Sequence, residues 1–290
     1  MSKLFPYGSL RSLLICILLI IASCTIDSVE HEEIVPVTEY LYEIHFVDVG
    51  QGDAILITTP SQTLLIDGGV RNSGIVPYLN RQNINHIDMV IGTHPHADHI
   101  GGLIGVFQNF SVTEVIDPGV VHTTITFTDY LTAIEQKGID FTVGRRGMTR
   151  DLGDNVTMTL LHPANPSNSH LNNASVVAHI TLDEVSVLLT GDLESEGEGE
   201  ILGYFSDISS TILKVGHHGS RTSSTVEFLR AVQPEISIIM CGRANQYGHP
   251  HQQTLSRLDA IGTKVFRTDI HGTIVIKSDG KGYTVYPERE

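Results

Sequence analysis

Between residues 93 and 102 the chain reads THPHADHIGG, which places His94, His96, Asp98 and His99 within six consecutive positions. An apolar core cannot hold that many titratable groups in one place unless each has a partner. The run before it, IDMVIGTH (87–94), is apolar and predicts a buried strand; the run after it, GGLIGVFQNF (101–110), predicts a helix. The cluster therefore sits on a strand-to-helix turn, the place where α/β folds carry their chemistry. A chain organised around such a turn is constrained to the α/β class.

The same design recurs along the sequence. LYEIHFVDV (41–49), DAILITT (53–59) and TLLIDGG (63–69) read as short strands broken by Gly and Pro, and SGIVPYLNRQ (73–82) as a short helix despite Pro77. A helix is predicted near 127–137, with strands near 140–144 and 155–162. SVVAHITLD (175–183) and VSVLLTGD (185–192) predict a hairpin, and a helix follows near 194–204. TILKVGHH (211–218) is another strand ending in polar residues. STVEFLRAV (224–232) has a capping-box spacing, Ser224 as N-cap and Glu227 three residues on. ISIIMC (236–241), a helix near 251–260, KVFRT (264–268) and TIVIKS (273–278) complete the pattern. With 290 residues, 41% of them hydrophobic, the chain can bury a sizeable core. Strands and helices in both halves predict two packed sheets with helices outside, in one domain over 41–290.

The N-terminal run LLICILLIIASC (13–24) follows Lys3 and Arg11. Its apolar part is short for a membrane span and suits the core of a signal peptide. Ile21-Ala22-Ser23-Cys24 resembles a bacterial lipobox, which implies cleavage before Cys24 and a lipid on that cysteine. The alternative is an ordinary signal peptide or anchor with an incidental cysteine. The expected organisation is a leader over 1–23, a lipidated Cys24 with a polar tether over 24–40, and an extracytoplasmic domain on a membrane. Loss of Cys16 and lipidation of Cys24 would leave Cys241 alone, so no disulfide is expected. The net charge of −15 disfavours an extended nucleic-acid surface, because phosphate backbones are held largely by Lys and Arg. A small phosphate site at a bound metal is compatible with it.

Four predicted strands end in Asp67, the His94 cluster, Asp192 and the His217-His218 pair. If these ends share one edge they form one metal site. His94 and His96, two apart on an extended loop, can face one ion; Asp98 and His99 can face a second; a carboxylate such as Asp192 can bridge them. Paired ions sit roughly 3.5–4 Å apart and share a hydroxide as nucleophile. Imidazole with carboxylate suits zinc first, with manganese or iron as alternatives.

The HxHxDH spelling followed by GG resembles the metallo-β-lactamase superfamily, and its details are similar to the hydrolase-like domain of ComEC competence proteins. FVDVGQGDAILI (46–57), LLIDGG (64–69), THPHADHIGG, NNAS (172–175), LLTGD, LKVGHHGSRTSS (213–224), NQYGHP (245–250) and FRTDIHGTIVI (266–276) match in order. The resemblance implies an αββα four-layer sandwich with two metals at its upper edge. It implies His94 and His96 on metal one, Asp98, His99 and a downstream histidine on metal two, and Asp192 between them. His217 and His218 compete for the downstream position. Phosphorylcholine esterases, which share a strand-Lys-x-x-His-His ending, favour His218. Many members also carry a GHT histidine on metal one; this chain has HPANPSNSHLNNAS there, as ComEC-like members do. That departure implies a metal one that is under-coordinated, weakly held or completed by water, with His162 or His170 as alternative ligands.

Asp67 is expected to orient a ligand histidine or to cap a turn, and Asn173, His217, Ser220 and His249 are candidates for supporting or substrate contacts. Ser220 also fits a capping role. Asp48 and Asp53 read as turn residues near the site. Lys214 is either a contact for an anionic substrate or a solvated lysine. Gly101 and Gly102 are expected to permit close backbone approach. His31, His45, His122 and His251 read as ordinary surface or core histidines, and Asp269 and His271 as part of a turn. The expected activity is metal-hydroxide attack on a phosphoester, a phosphodiester first, with Asp98 and Asp192 in the catalytic centre. Hydrolysis of a lactone, β-lactam or other acyl bond is the second reading, and a non-catalytic metal-binding lipoprotein the third.

Overall fold

The computed structural model describes residues 40–290, so the expected leader, Cys24 and nearly all of the tether lie outside the described residues. No helix among the described residues is long and apolar enough to cross a membrane. In chain order the strands are β1 (Tyr42–Phe46), β2 (Ile55–Thr58), β3 (Thr63–Ile66), β4 (His86–Ile91), β5 (Ser111–Asp117), β6 (Asp140–Val143), β7 (Thr149–Asp151), β8 (Val156–His162), β9 (Val177–Leu182), β10 (Val185–Leu189), β11 (Ile212–Lys214), β12 (Ile236–Ile239), β13 (Lys264–Arg267), β14 (Ile274–Ser278) and β15 (Tyr283–Pro287). The helices are α1 (Ile75–Arg81), α2 (Ala97–Ile100), α3 (Leu103–Asn109), α4 (Ile125–Lys137), α5 (Ser195–Tyr204), α6 (Val226–Val232), α7 (Gln252–Ala260) and α8 (Thr268–His271).

Two sheets result. One has the order β15-β14-β1-β2-β3-β4-β5-β6 and the other β13-β12-β11-β10-β9-β8-β7. β3 to β6 run parallel, as do β10 to β13, and the remaining pairs are antiparallel. Side chains alternate between faces along a strand. Ile55, Ile57, Leu64 and Ile66 thus enter the core between the sheets, where they meet Val187, Leu189 and Ile238 of the second sheet. Leu56 and Leu65 point the other way, onto Leu79, Leu103 and Phe107 of the helices. Leu188 and Leu213 do the same against Phe228 and Leu258. Each sheet is apolar on both faces because each is covered twice, as parallel sheets require. The expected αββα four-layer sandwich is the architecture observed.

Several local expectations change. The N-cap of α6 is Thr225, whose side chain accepts from the amide of Phe228, and not Ser224. Ser224 adopts φ 56°, and its amide and that of Thr225 both donate to the buried carboxylate of Glu198. Asp269 and His271 belong to the short helix α8. Strands β5, β7 and β15 were not expected. The first half of β5 is half exposed, β7 has only three residues, and β15 is a partly exposed edge, so none shows a sustained apolar alternation.

Asp117 closes β5, fully buried, and accepts from the amide of Gly119 (2.7 Å) and the hydroxyl of Tyr130 (3.2 Å). Burial outweighs these bonds and pushes its carboxyl up to about 6. The folded state therefore favours the protonated acid, and stability is lost as pH rises from the ordinary carboxylate range through about 6. Above that the ionised group costs roughly 3 kcal/mol at about 1.4 kcal/mol per unit. Asp117→Asn is expected to stabilise the fold at pH 8 and to have little effect at pH 4. Denaturant unfolding of both proteins at the two pH values checks this; equal differences would show that Asp117 titrates normally.

Candidate metal centre

The parallel strands of both sheets run toward one edge, and their ends meet there. β3 delivers Asp67, β4 leads to Thr93 and His94, α2 carries Asp98 and His99, β10 leads to Asp192, and β11 leads to His217 and His218. The residues most distant in sequence come together at Asp192. Its Oδ2 lies 3.8 Å from Nε2 of His94 and 3.4 Å from Nε2 of His218, and its Oδ1 lies 3.3 Å from Nε2 of His99. Nε2 of His94 is 2.9 Å from Nδ1 of His96, and Nε2 of His218 is 3.4 Å from Oδ2 of Asp98. Two compact donor groups follow, His94 with His96 and Asp192, and Asp98 with His99 and His218, each spaced to hold one ion.

The imidazoles are aimed from behind. Nδ1 of His99 donates to Asp67 at 2.7 Å, and Asp67 also accepts from the amide and hydroxyl of Thr93 at 2.8 and 2.7 Å. Nδ1 of His218 donates to the carbonyl of Met240 at 2.9 Å. Both rings thus turn Nε2 toward Asp192, the arrangement by which metal-binding histidines are held. Ser175, the last residue of NNAS, accepts from the amide of Asp192 at 3.1 Å.

Nε2 of His99, Nε2 of His218 and Oδ1 of Asp192 are buried and have no hydrogen-bond partner. Buried polar atoms are normally satisfied, so three orphans converging on one point require a shared partner. Burial opposes charge on His99 and His218, yet Asp192 with Asp67 on one side, and Asp192 with Asp53 on the other, hold both imidazoles well above the ordinary range. Burial would raise Asp192, but the positive His218 and His99 hold it well below the usual carboxylate range. Burial and the charge on His99 keep His94 neutral. The protons on His99 and His218 supply positive charge that divalent ions would supply in their place. The donor set fits a pair of such ions.

Of the competing pair, His218 is buried in the cluster. His217 is partly exposed, with Nδ1 held by Glu194 at 3.1 Å and Nε2 3.7 Å from Asp192. His162 donates to the carbonyl of Ser175 and faces Glu200, and His170 is exposed; neither falls in a donor group. Asn173 reaches the amide of Glu194 and the carboxylate of Glu196, while its neighbour Asn172 lines the cleft. Ser220 bonds Thr222 within its own turn. The cleft above the cluster has a volume of about 380 Å³ and is walled by Gln51, His122, Thr124, His217, Tyr247 and His249. Burial and the nearby positive histidines push His249 down to about 4. A larger groove of about 610 Å³ between α1 and α3 contains none of the clustered histidines or aspartates.

Three expectations are corrected. Asp53 is more than a turn residue near the site: it is buried between His99 and His218. Lys214 is neither solvated nor turned to substrate: it is fully buried and paired with Asp53. His122 is not an ordinary surface histidine, for it stands in the cleft wall with its ring 6.0 Å from that of His96. Their motifs, VGQGD and LKVGHH, carried the signal for the first two; nothing local marked His122.

The family described as the Metallo-beta-lactamase superfamily matches residues 47–243. ComE operon protein 3 of Bacillus subtilis is 32% identical over 84% of this chain and 34% of its own length. Competence protein ComA of Neisseria gonorrhoeae is 32% identical over 78% of this chain and 31% of its own. The chain thus spans about a third of the length of these relatives. Among solved structures, CmlA, a diiron β-hydroxylase from Streptomyces venezuelae, superposes with a TM-score of 0.53 at 15% identity, covering 83% of this chain and 55% of that one. The metallo-β-lactamase fold protein YhfI from Bacillus subtilis gives 0.51 at 13% identity over 78% and 96%. These two likenesses bear on the fold alone.

Proposed function

Since the chain belongs to the metallo-β-lactamase superfamily as a metal-dependent hydrolase, we propose that it cleaves phosphoesters, phosphodiesters first, outside the cytoplasm. The observation that carries this reading is Asp192, a member of the group with His94 and His96 whose carboxylate also lies 3.3 and 3.4 Å from Nε2 of His99 and His218 in the other group. His94, His96 and Asp192 would hold one ion and Asp98, His99, His218 and Asp192 the other. Zinc is the ion proposed, with manganese or iron as alternatives. Bound there, two ions would activate water near neutral pH and stabilise charge on the attacking and leaving oxygens of an in-line displacement.

The chain's own groups do the rest. Asp67 and the Met240 carbonyl keep the His99 and His218 rings in the tautomer that presents Nε2. Gln51 accepts from the amide of Gly242 through its oxygen, which leaves its NH₂ for substrate. With His122, Thr124 and His249 it forms a wall of hydrogen-bonding groups suited to phosphoryl oxygens. The wall contains no Lys or Arg, which suits a short phosphodiester better than a long polyanion.

The metal-loaded protein is expected to hydrolyse an activated phosphodiester faster than an activated β-lactam or lactone under the same conditions. Turnover of the acyl substrates with none of the diester would transfer the assignment to acyl hydrolysis; activity on neither class would sink both. The lipobox-like Cys24 supports an extracytoplasmic, lipid-anchored placement. Cys24→Ser should release the protein from the membrane fraction or leave its leader uncleaved. A variant processed and sedimenting like wild type would refute the anchor.

A further inference from the structure

Lys214 is the largest charged side chain in the interior that the proposed chemistry leaves unused, with no exposed surface. Its ammonium is paired with the carboxylate of Asp53, donates to the carbonyl of Gly191 at 2.7 Å, and lies 3.9 Å from Oδ1 of Asp192. The backbone carbonyl of Lys214 also accepts from Thr190 at 2.8 Å. One residue on β11 thus ties down the turn that carries Asp192 from both sides.

Asp53 reaches this point from the other sheet. Its Oδ1 is 3.4 Å from Nδ1 of His218, its Oδ2 is 3.9 Å from Nδ1 of His99, and Oδ1 is buried with no hydrogen-bond partner. The spacing makes Asp53 a competent metal ligand. Besides the two donor groups of the cleft there are two others, Asp53 with Asp192 and His218, and Asp53 with Asp67 and His99, and both need Asp53. An ion in either would draw Asp192, His218 or His99 away from the cleft. The ammonium already occupies Asp53, and a fixed positive charge repels a divalent cation at that distance.

We propose that Lys214 is a resident cation: it withholds Asp53 from metal, holds the Asp192 turn, and so confines ions to the two positions facing the cleft. Lys214 is a positioning residue under this proposal and touches no substrate. The inference rests on the two-ion reading above.

The test uses full-length protein and Zn²⁺ alone. Wild type, Lys214→Met and the double variant Asp53→Asn/Lys214→Met are saturated, dialysed and compared for zinc per chain and for affinity against a competing chelator. Lys214→Met is expected to bind one additional equivalent, or to move one equivalent to a new affinity class. The double variant should lose that binding, since asparagine carries no charge to hold the ion. Thermal melts cover an unstable variant: Zn²⁺ should raise the Tm of Lys214→Met more than that of wild type, because the ion replaces the missing cation. Wild-type stoichiometry and affinity in Lys214→Met, a new site that persists in the double variant, or no extra stabilisation by Zn²⁺ would each overturn the proposal. Failure of wild type to bind two ions would instead strike the two-ion reading. No zinc binding in any of the three proteins would overturn both.

Discussion

Asp192→Ala is expected to lower metal content below that of wild type and to reduce hydrolysis on the order of 10³-fold or more, equivalent to about 4 kcal/mol of lost transition-state stabilisation. The carboxylate faces His94, His99 and His218 at 3.3–3.8 Å, so its loss removes a donor from one group and the carboxylate that faces two histidines of the other. It also removes the negative charge that holds His99 and His218 protonated in the metal-free protein. Breaking a buried pair costs roughly 3–5 kcal/mol when the surviving charge has no escape. Here the imidazoles can release their protons, and Lys214 keeps Asp53. The far-ultraviolet circular dichroism should therefore stay close to wild type while metal is lost. His218→Ala should empty one position, and His217→Ala, whose ring is held by Glu194, should do less. Normal metal content and full activity in Asp192→Ala would reduce LLTGD to a turn.

The second large effect is structural and reaches the same site. A Cβ on Gly102 would fall 1.9 Å from the carbonyl oxygen of Gly68, and one on Gly101 would fall 2.5 Å from the carbonyl oxygen of Ala97 and 2.6 Å from the amide of Arg71. The obstacles are backbone atoms that cannot rotate aside. Gly102 has φ −72°, so alanine there suffers from lack of space and not from conformation. The contact joins the loop after β3 to the start of α3. Gly68 N donates to the carbonyl of His99 and Gly102 N to that of Gly69. Gly102→Ala must push these segments apart, moving Asp67 from His99. A loss of about 3 kcal/mol, the upper end for overpacking, is expected together with weaker metal binding. Gly199→Ala is the control. Gly199 lies in α5 with nothing within 4 Å of its Cβ position, and alanine there should stabilise by about 0.5–1 kcal/mol. Equal stabilities for the two variants, read from urea unfolding, would show that the close approach carries no weight.

What the sequence determined was whatever has a local period or a local spelling. Near-continuous apolar runs in ILIT (55–58), TLLI (63–66) and ISII (236–239) specify strands covered on both faces. HxHxDH at a strand-to-helix turn, LLTGD and the HH pair mark strand ends as chemical, and parallel strands with shared polarity leave those ends one edge on which to meet. Tertiary structure decided the matters that depend on direction and on distant neighbours. His217 and His218 are adjacent and both have positive φ, 48° and 55°; only the turn geometry sends one ring to Met240 and Asp98 and the other to Glu194. Asp53, in the loop before β2, and Lys214, on β11, are separated by most of the domain, so although each lies in a marked motif, neither motif announces that the two pair. A charge looks solvated in sequence until the fold supplies its opposite, because burial is set by contacts between segments and not by the residues alongside.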